Sequence, residues 1–126
     1  MLDALFSQPN YVAAKKMLDV AVLRHEAIAS NLANLETPNY KRVDVAPSFS
    51  SELQRAFASG NSEEISATHP SLSIDPAASP RLDGNTVDLE SELAEMNKNY
   101  LAHALETQLV TGSLLKLRLA ITGRAS

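Results

Sequence analysis

Two stretches of this chain repeat their apolar residues at helical spacing, and between them the repeat dissolves. At 100° per residue, Met17, Val20, Ala21, Arg24, Ile28, Asn31, Leu32 and Leu35 fall within about 60° of one line, which predicts a helix from about Asn10 to Leu35, after the Gln8-Pro9 break. Arg24 and Asn31 lie inside that apolar stripe. Thr37-Pro38 ends it, because proline removes an amide donor and drives the residue before it out of the helical region.

The second periodic stretch is longer. Leu89, Leu93, Met96, Tyr100, His103, Thr107, Val110, Leu114, Leu117 and Ile121 alternate at four- and three-residue steps without a slip, a coiled-coil seam. A second seam, Leu101, Leu105, Gly112, Leu115 and Leu119 with Leu109 beside it, lies on a different face. The turn Asp83-Gly84-Asn85-Thr86-Val87-Asp88 opens this helix, with Asn85, Thr86 or Asp88 as its cap and Asp88, Glu90, Glu92 and Glu95 near the positive dipole end. Gly123 closes it, with Lys116 and Arg118 toward the negative end.

Between the helices, residues 41–82 read as a middle segment. Five of the six prolines fall between Pro38 and Pro80. One short helix is predicted at about 47–58 from Phe49, Leu53 and Phe57, with Gly60 ending it, and Ser71 to Ile74 is an edge strand at best. Ser62-Glu63-Glu64 reads as a solvated loop. The predicted fold is mainly α: two long terminal helices packed as an antiparallel coiled-coil hairpin, residues 1–40 with 83–126, carrying this irregular, proline-rich middle.

Composition narrows the function. The chain has 126 residues, 44% of them apolar but only 5% aromatic, and no cysteine. That excludes disulfides, thiolate zinc sites and a cysteine nucleophile, and it promises no large core. Met1 to Lys16 lacks the basic start and apolar run of a cleaved signal, and no segment is apolar enough to span a bilayer. A net charge of -4, without a basic stripe, excludes non-specific nucleic-acid binding. The charge is uneven: Ala46 to Asn99 holds three basic and nine acidic residues, Tyr100 to Ser126 three basic and one acidic.

One partner helix cannot cover both seams of the second helix. The first helix takes the first seam, through Met17, Val20, Ile28 and Leu35. The other seam, Leu101 to Leu119, then faces water or another copy of the chain. Asn31 and Asn34 fit that picture as register devices that bridge to the backbone of neighbouring helices. Spacing alone equally allows them to be solvated residues in a fraying last turn. Gly112 reads either as a site of close helix approach or as a tolerated surface glycine.

Ala29-Ser30-Asn31-Leu32-Ala33-Asn34-Leu35-Glu36-Thr37-Pro38-Asn39-Tyr40 resembles the N-terminal signature of the bacterial flagellar rod and hook axial proteins, and the turn at Asp83 to Asp88 is similar to the element opening their C-terminal helix. The short middle most resembles the proximal-rod members of that family. The resemblance implies a non-enzymatic subunit, without cofactor or metal, that leaves the cytoplasm uncleaved through the type III export apparatus and polymerises helically in the periplasm. It implies contacts with copies of itself, other rod proteins, the basal-body adaptor protein and the export gate. Asn31, Leu32, Asn34, Thr37, Pro38 and Tyr40 are the assembly motif by this resemblance. Where the family often has Gly after Thr-Pro, this chain has Asn39, which tolerates the left-handed conformation.

Two rivals remain on the residues. An enzyme needs a constellation, and His25, His69 and His103 are scattered; His103 and Glu106 could share one helix face, as in helical metal sites, but His103 reads better as part of the seam. A soluble helical adaptor or export chaperone would bind a partner helix in the exposed seam. That reading leaves the Asn-Thr-Pro motif unused.

Overall fold

The structure, a computed structural model, describes residues 8–123, with the side chain of Leu117 outside the described set. It is mainly helical. Helix α1 runs Pro9–Ala33, strand β1 Val43–Val45, helix α2 Ser48–Ser59, helix α3 Ser62–Ala67, strand β2 Leu72–Ile74 and helix α4 Leu89–Thr122. Pro9 opens α1, where a missing amide costs nothing. Asp88 caps α4: its carboxylate accepts from the Ser91 amide at 3.0 Å and the Ser91 hydroxyl at 2.7 Å, which hold the Asp88 carboxyl below its ordinary range. Gly60 and Gly123 close α2 and α4 in the left-handed conformation.

The middle of the chain folds onto α1. Val45, Phe49, Leu53, Ala56 and Ile65 form one cluster with Val20 of α1, and Val12, Ala13 and Leu23 pack at its edge. Phe57, expected on that apolar face, is exposed, and Ala56 is buried there instead. Two elements go beyond the sequence reading. The supposed loop at Ser62-Glu63-Glu64 is the first turn of α3, capped by the Asn61 side chain accepting from the Glu63 amide at 2.9 Å and pinned by fully buried Ile65. The edge strand at Leu72 has a partner, β1, antiparallel in the register Val43 to Ile74, Asp44 to Ser73 and Val45 to Leu72.

Helices α1 and α4 lie side by side and run in opposite directions: Asn31 meets Glu92, Ala21 meets Asn99, and Ala14 lines one groove with Gly112 and Ser113. The face α4 turns inward is not the leucine seam. Glu92, Asn99 and Glu106, seven residues apart, are its buried positions, and of the first seam only Met96 and Val110 are half-buried while Leu89, Leu93, Tyr100, Leu114 and Ile121 are exposed. Seven residues are nearly two turns, so the three polar side chains form one line roughly 60° from the predicted seam. Hydrogen bonds fix this rotation. Asn99 Nδ2 donates to the Ala21 carbonyl at 2.7 Å, reachable because alanine has so short a side chain. On α1, Val20 and Ile28 are buried as expected, but Met17 is exposed and Val20 serves the core with the middle segment. Leu117 falls outside the described residues.

The polar line is unevenly satisfied. Asn99 Oδ1 and Glu106 Oε2 are buried without a hydrogen-bond partner. Burial pushes the Glu106 carboxyl up from 4.5 to about 7, against the pull of the Arg24 cation.

Two outcomes follow from this packing. Ile65→Ala removes the largest fully buried side chain and is expected to lower unfolding free energy by about 2–5 kcal/mol in urea titration. Because Glu106 binds its proton more tightly folded than unfolded, stability falls as pH rises from its unfolded value toward its folded one, and is fully present only below both. Glu106→Gln should flatten that fall, measured as the difference in urea midpoint between pH 5 and pH 8; an unchanged slope assigns the titration to another group.

Candidate functional site: the junction of the terminal segments

The sequence motif becomes a physical junction where the end of α1, the start of β1, the turn before α4 and the first turn of α4 meet. Asn31 is fully buried at its centre. Its amide treats Val43 as a strand neighbour would: Nδ2 donates to the Val43 carbonyl at 2.9 Å, and Oδ1 accepts from the Val43 amide at 3.0 Å. Nδ2 also donates to Glu92 Oε2 at 3.3 Å, and Tyr40 Oη donates to Oδ1 at 3.3 Å. One side chain thereby ties α1, β1 and α4 together.

Asn34 does something more local. Its Nδ2 donates to the Ser30 carbonyl at 2.9 Å, and its Oδ1 accepts from Thr37 Oγ1 at 3.1 Å, so it shapes the end of α1 without reaching another element through its side chain. The carbonyls at that end are collected from outside. Buried Asn85 donates Nδ2 to the carbonyls of Asn34 at 2.8 Å, Leu35 at 3.1 Å and Thr37 at 2.7 Å, while its Oδ1 accepts from the Val87 amide at 2.7 Å. A single carboxamide here supplies a shared donor to the C-cap carbonyl of α1 and to two carbonyls of the turn that follows it. Asn85, read from sequence as a cap for α4, thus holds the turn that leaves α1.

The Thr37-Pro38 stop delivers the chain to Asn39 at φ 61°. The asparagine substitutes for glycine as its tolerance of that region predicts. Its neighbour across the junction is Gly84, at φ 81°, where an added Cβ would come within 2.2 Å of Asn39 Oδ1. Glycine is required twice over, by conformation and by contact.

The charged centre goes beyond the sequence reading. Arg42 Nε donates to Glu92 Oε1, and Arg42 Nη1 to Asp75 at 2.9 Å and Asp44 at 3.4 Å; Arg24 Nε reaches Asp44 at 3.2 Å. Burial works against the Arg42 cation, but the Glu92 hydrogen bond and charge, with Asp44 and Asp75, raise its pKa overall. Glu92 has no exposed surface. The available signal is the heptad Glu92, Asn99, Glu106, a polar line running through an apolar helix.

Of the motif residues, Asn31, Asn34, Thr37 and Tyr40 are brought together, Leu32 and Leu35 are half-buried, and Pro38 is exposed. The second-seam residues Leu101, Leu105, Leu115 and Leu119 sit away from the junction and are exposed. Gly112 meets nothing within 4 Å of a built Cβ, so no helix of the same chain approaches it closely. Among the described residues, no group of three or more His, Cys, Asp or Glu is placed to hold a metal ion.

Known proteins share this arrangement of sequence. The flagellar basal body rod protein FlgB of Borrelia hermsii is 32% identical over 114 residues, covering 76% of this chain and 83% of that protein. This chain belongs to the FlgB family of flagellar basal body rod proteins. FlgB of Cereibacter sphaeroides is 34% identical over 110 residues, 79% of this chain and 84% of that protein, and FlgB of Salmonella typhimurium 30% over 133 residues, 92% and 93% respectively. No protein-family model matches the chain. The rod and hook resemblance of Ala29 to Tyr40 and Asp83 to Asp88 thus narrows to FlgB.

The two asparagines should separate in stability. Asn31→Ala strands the Val43 amide and carbonyl in a buried site and is expected to cost about 1–3 kcal/mol, whereas Asn34→Ala, with local and partly solvated bonds, costs under about 1 kcal/mol. Equal losses in chemical denaturation would contradict the division of labour between them.

Proposed function

We propose that this FlgB-family chain is a structural subunit of the proximal rod of the bacterial flagellum, polymerising through its terminal helices in the periplasm. The observation that carries the reading is the outward turn of the leucines. With its polar line against α1, α4 leaves Leu89, Leu93, Tyr100 and Leu114 open on one side and Leu101, Leu105, Leu115 and Leu119 on the other. Apolar strips of that extent are a liability on a free chain and a resource in an assembly.

On this reading the coiled-coil packing belongs chiefly between subunits, with neighbouring helices entering the leucine seams. Residues 1–40 and 83–126 form the discontinuous assembly domain, and 41–82 buttresses α1. The Asn31 motif acts by holding α1 and α4 at one angle, so that the strips are presented in a fixed register. Partners are copies of the chain, other rod proteins and, at the rod base, the basal-body adaptor protein and the type III export gate through which the uncleaved chain leaves the cytoplasm. No helix among the described residues is long and apolar enough to cross a membrane. The subunit is not an enzyme.

The same open seam supports a second reading, a helical adaptor or export chaperone that accepts one partner helix. The two differ in stoichiometry. Leu105→Glu with Leu115→Glu, introduced into the native strain, should abolish swimming while the purified chain keeps its helical circular dichroism. Gold-labelled chain absent from the proximal end of isolated basal bodies, together with a discrete dimer in sedimentation, would favour the adaptor.

A further inference from the structure

The polar line of α4 meets α1 at three buried side chains, and the three are not alike. Glu92 is held by Arg42 and Asn31, and Asn99 by the Ala21 carbonyl. Glu106 Oε2 is buried with no hydrogen-bond partner, so nothing at that oxygen compensates a negative charge. Beyond Glu106, among the described residues, α4 has no buried side chain: Val110, Gly112 and Ser113 are half-buried and the rest are exposed. The attachment of this stretch to α1 turns on one buried side chain, and that side chain is an acid.

The groups around it do not neutralise a carboxylate. From α1, Arg24 is the cation whose field reaches Glu106, and it is engaged with Asp44 at 3.2 Å. Lys15, Lys16 and Asp19 of α1 line a separate groove, with Ser66 of α3. Helix α2 brings the uncharged ring of Phe57 to the groove between α1 and α4, where Lys116 is exposed. His103 stands one turn before Glu106 and is exposed, as are His25 and Glu26 across the crevice that it lines. Burial prevails over the pull of Arg24 and raises the Glu106 carboxyl from 4.5 to about 7.

We propose that Glu106 is a proton-operated latch: protonated, it seats the stretch Thr107 to Thr122 of α4 against α1, and ionised, it releases that stretch while the Asn31, Arg42 and Glu92 junction stays closed. Release uncovers the α1 wall, Ala14 and Met17, of a groove of about 510 Å³ whose other wall is Leu109, Gly112 and Ser113. In the released form the carboxylate regains water and its ordinary proton affinity. The seated form is therefore favoured most below both values, and the released form gains as pH rises from 4.5 toward about 7. The latch belongs to the fold of the single chain, so it goes beyond the rod-subunit reading and does not need it.

Because the chain has no cysteine, paired spin labels can be placed at will. One pair, Asn10→Cys with Ala120→Cys, spans the free ends of α1 and α4, and a control pair, Ala29→Cys with Glu90→Cys, spans the junction; all four positions are exposed. Between about pH 5.5 and about pH 8 the ratio of long to short distances in the end pair is expected to rise about tenfold, with the control pair unchanged. Glu106→Gln, and Glu106→Leu as a second uncharged variant, should hold the end pair short at both pH values. An end pair that ignores pH overturns the latch. So does a shift that persists in both variants, which assigns it to His25 or His103, and so does lengthening of both pairs together, which is unfolding of the whole chain.

Discussion

The reciprocal pair of hydrogen bonds between the Asn31 carboxamide and the Val43 backbone is the contact on which the rest of the molecule depends. It brings β1 against the end of α1, places Arg42 beside Glu92, and through Glu92 sets the rotation of α4. A buried carboxamide in a helix is a weak choice for stability alone, since an apolar residue would pack without needing partners. Its value is geometric. Leucine at that position would allow α4 to rotate its apolar seam inward, and the polar line from Glu92 to Glu106 forbids it.

The division of the apolar residues follows from that rotation. The chain keeps its small core between α1 and the middle segment, around Phe49, Leu53 and Ile65, and leaves most leucines of α4 outside. The middle segment is therefore a structural support of α1. In the same way, the turn before α4 does two jobs: Asp88 caps α4 and Asn85 holds the turn that leaves α1.

Much of this was legible in the sequence, and the gaps have physical causes. The helix limits came from Pro9, Pro38, Gly60 and Gly123, whose backbone effects are local and act regardless of tertiary context. The helical face of α4 did not, because hydrophobic periodicity identifies stripes but not which stripe an isolated chain buries; Asn99 and Glu106 overrode the leucines through hydrogen bonding and burial that spacing does not encode. Helix α3 was too short for periodicity, and only the Asn61 cap and Ile65 mark it. Strand β1 is three residues whose pairing with β2 depends on Arg42 and Asp75 contacts made across the fold. The motif residues Asn31 and Tyr40 sit at an intra-chain junction, yet the salt-bridged Arg42 at its heart carried no signal by itself.

The junction also joins remote parts of the chain. Asn31 meets Glu92 across 61 residues, Asn85 reaches Asn34 across 51, and Asn99 reaches Ala21 across 78. Closing loops of that size precedes any gain from the contacts they bring together. A chain that emerges from a ribosome with its N-terminus first therefore has Asn31 and Val43 in reach of each other long before Asn85 and Glu92 have followed. Until then α1 has its middle-segment support but not its α4 partner. The α4 side of the junction is thus the last part of it to become available as the chain is made.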